Sequence, residues 1–202
     1  MIGILNCLQS LLERIIRPLD FLAPLALRIY LAPIFIFAGI NKLKHAEHLG
    51  PYFESLGIPA PELMVYVAAI TELLGGIALL GGLAVRWAAI PLMFTMVVAA
   101  TTAHWENGWH VLPETELTVP WEWRTDLIEE ANTRKDAARS LLKEHGNYSW
   151  LTETGSITIL KNGIEFAATY FIMLLVLLFI GAGNYFSVDY WIARTWRRKD
   201  RC

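Results

Sequence analysis

Three ionisable residues, Arg28, Glu72 and Glu165, fall inside or at the edge of long apolar stretches. A charge at bilayer depth costs about 2.5–3.5 kcal/mol on insertion scales, so such residues usually pair or line a cavity. Arg28 lies about eight residues in from one end of its stretch and Glu72 about ten in from the same side of the next, depths that differ by only a few Å at ~1.5 Å per residue. The spacing therefore predicts that Arg28 and Glu72 face each other. On a helix, Arg28, Ala32, Phe35 and Gly39 share one face, as do Ala68, Glu72, Gly75 and Gly76, and small residues there let helices approach closely. Two readings stay open. The charges either fix helix register or, with Lys42 and Asn41, line a polar pocket for a substrate or quinone in which Glu72 changes protonation.

A second group is carried by AHWENGWHVL, which follows one of the most apolar runs in the chain. His104, Glu106 and His110 lie there, and Glu165 opens the last apolar stretch. The reading places His104 at the membrane surface within reach of Glu165, as a pH-sensitive imidazole–carboxylate pair. Imidazole and carboxylate ligands suit zinc or copper(II), and His45, His48, His104 and His110 are the imidazoles available. His45–His48 and His104–Glu106–His110 match no tight metal spacing, and Trp105 and Trp109 also fit an aromatic belt. No nucleophile motif, phosphate loop or dinucleotide fingerprint appears. The glycines Gly75, Gly76, Gly81 and Gly82 read as packing residues.

The elements that must hold these residues follow from hydrophobicity. The chain has 202 residues, 55% of them hydrophobic, and its mean hydropathy is +0.41. Runs at 19–40, 63–83, 87–103 and 164–182 are each near the ~20 residues needed to cross a hydrocarbon core. Backbone groups in lipid must be satisfied within the segment, so the runs are expected to be helices. The expected fold is all-α, a four-helix transmembrane bundle forming a single membrane domain. Net charge is −2, too mild to suggest nucleic acid. Cys7 and Cys202 form no CxxC or metal-type pair.

Before the first run, Ile4, Leu5, Leu8, Leu11, Leu12, Ile15, Ile16 and Leu19 recur at helical spacing, as expected of a helix lying in the membrane interface. A mirror segment follows Gly183, with Ser187 as N-cap. Arg14, Arg17, Arg86, Arg194, Arg197, Arg198, Lys199 and Arg201 gather on one side, against chiefly Lys42, Lys44 and Lys161 on the other. The positive-inside rule then puts both termini in the cytoplasm. The insert at 104–161 falls on the opposite side. Within it 126–144 reads as a helix, with Thr125 as N-cap, Gly146 just past the end and a Glu130–Arg134 pair.

LRIYLAPIFIFAGINKL, ITELLGGIALLGGLAVRWAAIPL and GAGNYFSVDYWI together resemble the signature blocks of the DoxX family of bacterial inner-membrane proteins. Arg28, Gly39, Lys42, Glu72, Gly75, Gly76, Gly81, Arg86 and Asp189 match that pattern. HWENGW, EHGNYSWLT and KNGIEFAATYF resemble a longer, HvfX-type branch associated with copper-binding modified peptides. The resemblance implies a membrane partner in copper-peptide maturation or copper and redox stress, working with peptide-modifying proteins or a Cys-rich precursor peptide. Other members imply a quinone-linked oxidoreductase subunit. A membrane scaffold without its own chemistry is the third reading. Copper and quinone are the cofactors these readings call for.

Overall fold

The computed structural model describes residues 2–114 and 116–199. The side chains of 2–5, 7 and 197–199 lie outside the described set, as do residues 1, 115 and 200–202, so the readings of Ile4, Leu5, Cys7, Arg197, Arg198, Lys199, Arg201 and Cys202 fall there. Among the described residues there is helix and no strand. The helices are α1 (Ile2–Ile16), α2 (Leu22–Lys44), α3 (Ala46–Ser55), α4 (Pro61–Gly81), α5 (Val85–Val98), α6 (Asp126–His145), α7 (Tyr148–Leu151), α8 (Glu165–Ile180) and α9 (Val188–Lys199). The chain forms two compact units, 1–95 with 170–202, and 96–169.

In the first unit α2 packs antiparallel against α4, and the glycines explain how closely. A Cβ on Gly39 would come within 2.6 Å of the Ala69 carbonyl oxygen, and one on Gly76 within 2.9 Å of the Ile36 nitrogen. Only glycine lets the two backbones touch at both points. The seam is lined by Leu31, Ala32, Phe35, Val65, Ala69 and Leu79, all nearly or wholly buried. The outward faces remain apolar, with Ile29, Phe37, Ile70, Leu74, Ile77 and Phe94 exposed. Such faces suit lipid rather than water. The sequence reading did not include α3, which packs near the start of α4, where a Cβ on Gly50 would stand 3.5 Å from the Glu62 side chain.

Three helical stretches are long and apolar enough to cross a membrane: Leu22–Lys44, Pro61–Gly81 and Val85–Asn107. The fourth expected run is represented by α8, which is apolar but has only 16 residues. At ~1.5 Å per residue it is about 24 Å long, somewhat shorter than a hydrocarbon core of about 30 Å.

The turn between α4 and α5 is tight, with Gly82 at φ +66° and Ala84 at φ +48°. Ala84 is costly in that conformation, and Asp189 holds it. Its two carboxylate oxygens accept from the backbone N–H groups of Ala84 (2.7 Å) and Val85 (3.2 Å), placing a negative charge at the N-terminus of α5. Ser187 caps α9 as expected, its Oγ accepting from the Tyr190 N–H at 3.2 Å.

In the second unit α5 passes into a π-helical turn, Ala99–His104, then a 3-10 turn, Trp105–Asn107. The helix expected at 126–144 is α6, and Glu130 pairs with Arg134 at 2.6 Å. The expected Thr125 cap is corrected, because Thr125 has helical dihedrals and its side chain makes no capping bond. Around that turn Arg124 instead reaches forward to Asp126 at 2.8 Å.

Candidate functional site

Within the α2–α4 seam the charges are partnered differently from the sequence expectation. Arg28, 1% exposed, donates from Nε to the Leu79 carbonyl at 2.7 Å and from Nη2 to Leu80 at 3.0 Å. Nη1 reaches the Ala182 carbonyl at 2.7 Å, and both terminal nitrogens approach the Phe186 carbonyl. A planar fork of five N–H donors suits this cage of four oxygens. Leu79 and Leu80 carry the last carbonyls of α4, the negative end of the helix dipole. Arg28 is therefore a structural clamp between the end of α4 and the loop after α8.

Glu72 is bound by Lys42. The Lys42 Nζ stands 2.6 Å from Glu72 Oε2, with the two side chains 25% and 5% exposed. The expected Arg28–Glu72 pair is thus overturned. The error is one of register: Arg28 lies level with Leu79, seven residues and about 10 Å along the helix from Glu72. Lys42, near the end of α2, bends back along the seam to meet the carboxylate. Asn41 is exposed, and its carbonyl oxygen is 2.9 Å from His45 Nδ1. Of the four residues expected to share a pocket, Lys42 and Glu72 come together, Arg28 is committed to carbonyls and Asn41 faces outward.

The second unit has its own polar core, which the sequence reading missed. Glu122 carries the side chain of WEW inward, fully buried, and Lys161 Nζ meets its Oε2 at 2.6 Å. Backbone N–H groups of Trp109 (3.2 Å) and Arg124 (2.8 Å) also donate to it. Burial alone would push this carboxyl up, but the hydrogen bonds from Lys161, Arg124 and Trp109 outweigh it and hold it below the ordinary glutamate range. Gly163 sits against the carbonyl oxygens of Gly108, Trp109 and His110, each within 2.6 Å of where a Cβ would be. The signal was present as one carboxylate between two tryptophans, and as Lys161 and Gly163 flanking an asparagine before α8.

His104 and Glu165 do not form the expected contact. His104 Nδ1 is 2.9 Å from the Asn162 carbonyl oxygen, while Glu165 accepts from the Val111 N–H at 3.0 Å. The imidazole beside Glu165 is that of His110, 8% exposed, with Nδ1 at 3.8 Å from Glu165 Oε2 and Nε2 at 2.9 Å from Glu114 Oε2. The two carboxylates stand off opposite ring nitrogens, so they do not converge with the imidazole on one point. Glu106 is almost fully exposed, 3.7 Å from Arg124. His45 and His48 are exposed in the first unit. Among the described residues no three His, Cys, Asp or Glu side chains stand together as a metal set. The donor arrangement does not fit copper.

Described residues that are helical without strand, apolar outward faces, three membrane-length helices and a charged pair half-buried at a glycine-lined seam define a multi-pass membrane protein. Residues 23–105, which hold the α2–α4 seam, match the DoxX family model. Over 76 residues it is 36% identical to the membrane protein Rv3486 of Mycobacterium tuberculosis, covering 37% of this chain and 47% of that one. Over 78 residues it is 35% identical to the Bacillus subtilis protein named "Putative oxidoreductase CatD", covering 39% of this chain and 57% of that one. The chain thus spans about half the length of the curated relatives it matches. No solved structure matches.

Proposed function

We propose that this protein is a bacterial inner-membrane subunit of a quinone-linked redox system, and that Lys42 and Glu72 are its proton-handling pair. The observation that carries this is the 2.6 Å contact between them on the buried face of α2 and α4. A pair needed only for register is an expensive choice, because apolar replacement of a buried ion pair is often neutral or stabilising. Acidic groups at membrane depth instead tend to mark proton or ion relays. A quinone, when bound, supplies two-electron, two-proton chemistry in the lipid phase. This chain supplies an ammonium donor that is a quarter exposed, and a carboxylate that takes or releases a proton at Oε2 while Lys42 holds its charge. That donor set fits a quinone carbonyl. The name of the Bacillus relative supports the redox class. Purification in native lipid nanodiscs followed by solvent extraction tests it. Near-stoichiometric quinone is expected with wild type and little with Lys42→Met, while wild type without quinone would leave the scaffold reading in its place.

A second reading rests on the insert. Trp105 and Trp123 stack at 4.7 Å, and Trp109 and Trp121 meet edge-on at 5.8 Å. Trp105, Trp121 and Trp123 stay exposed over the buried Glu122–Lys161 support. Such a surface suits docking of a peptide-modifying enzyme or its Cys-rich precursor in copper-peptide maturation. A precursor encoded beside this gene is expected to bind wild type and lose affinity for Trp105→Ala with Trp121→Ala. Equal affinity for both would remove the reading.

A further inference from the structure

We propose that the end of the first unit that carries α1 binds the headgroup of a zwitterionic, amine-bearing phospholipid. A cavity of about 730 Å³ lies between α1 and the loop after α8, lined by Glu13, Arg14, Arg17, Asp20, Asn184 and Tyr185 among others. Its charges balance, two guanidinium groups against two carboxylates. Arg14, Arg17 and Asp20 enter none of the ion pairs among the described residues, and Glu13 accepts only a neutral amide, from Gln9 at 3.1 Å. Charges of both signs therefore line one cavity without neutralising one another. Two arginines fit the phosphate oxygens of a headgroup, and Asp20 with Glu13 fits a primary ammonium that donates hydrogen bonds. An anionic headgroup would meet the carboxylates unpaired, and a quaternary ammonium could not donate to them.

The helix places this cavity at headgroup level. Ser10, Glu13, Arg14 and Arg17 follow i, i+3, i+4, i+7 and line it. Leu8, Leu11, Leu12, Ile15 and Leu19 fall on the opposite face and are 49–58% exposed. An interfacial helix sinks such an apolar face into the acyl boundary, so its polar face, about 10 Å away across the helix, stands among headgroups. The loop wall is firm, because Arg28 holds the carbonyls of Ala182 and Phe186 on either side of Asn184 and Tyr185.

Native mass spectrometry of the detergent-purified full chain, titrated with chain-matched phosphatidylethanolamine, phosphatidylcholine and phosphatidylglycerol, tests this. The ethanolamine lipid is expected to bind wild type about tenfold more tightly than the choline lipid, the factor expected for charge-assisted hydrogen bonds to an ammonium. Arg14→Gln with Arg17→Gln should weaken binding of all three lipids about tenfold by removing the phosphate contacts, and undiminished binding by that variant also overturns the proposal. Glu13→Gln with Asp20→Asn should shift the preference to the glycerol lipid. Equal binding of the ethanolamine and choline lipids by wild type, or tightest binding of the glycerol lipid, overturns the proposal. If the arginine variant does not fold, the wild-type ranking and the carboxylate variant still decide it.

Discussion

Lys42 and Arg28 are both cations on one face of α2, yet they do different work, and substitution separates them. Removing one partner of a buried ion pair typically costs about 3–5 kcal/mol, because the other charge is left uncompensated. Lys42→Met is therefore expected to lower the thermal midpoint in detergent sharply, and Lys42→Met with Glu72→Met to restore most of the loss. A double variant no better than either single one would show that the two side chains do not act as a pair. Glu122 gives a pH signature in the other unit. Its carboxyl is held low in the folded chain, so the unfolded chain binds a proton at higher pH. The stability it contributes is full above the ordinary glutamate value and is lost as pH falls through the depressed folded value. The midpoint difference between wild type and Glu122→Gln should thus shrink on acidification, and a constant difference would refute the coupling. Residue types pointed to the right faces: Arg28, Ala32, Phe35 and Gly39 are all buried, as is Glu72. The partners were not legible. They depend on where along α4 the neighbouring helix crosses, and helical periodicity does not report that offset.

Elements set that offset through glycine. A Cβ on Gly39 meets backbone atoms that cannot rotate away, Ala69 O at 2.6 Å and Leu73 N at 2.7 Å. Overpacking of this kind costs about 1–3 kcal/mol or more, so Gly39→Ala is expected to destabilise. Gly81 has nothing within 4 Å, and Gly81→Ala should be neutral or gain up to about 1 kcal/mol from helix propensity. Thermal midpoints of the two variants that do not differ in this order would contradict the close α2–α4 approach. The long helices and the Ser187 cap were legible because length, hydropathy and capping chemistry are local. The π-helical turn at Ala99–His104 and α3 were not. The first preserves the apolar run while changing its phase, and the second is short, with Pro51 inside it. The changed phase also fits the failure of the His104–Glu165 expectation, since that expectation assumed a regular helix up to His104.

For the whole molecule, the basic residues Arg14, Arg17, Arg86 and Arg194 sit near one set of helix ends, and the insert follows the other end of α5. With α8 taken as a fourth crossing, reporter fusions after 201 and within 129–136 are expected to report opposite sides of the membrane, with the C-terminus cytoplasmic. Matching signals would remove either the fourth crossing or the assigned orientation. In the proposed function Glu72 exchanges a proton with quinone chemistry while Lys42 holds it. Infrared difference spectroscopy of the nanodisc-embedded protein, recorded on electrochemical reduction of added decylubiquinone, tests this most directly. Wild type is expected to show a carboxyl stretching change that shifts in deuterium oxide and disappears in Glu72→Gln. An identical carboxyl signal in that variant, or none in quinone-loaded wild type, would contradict the account.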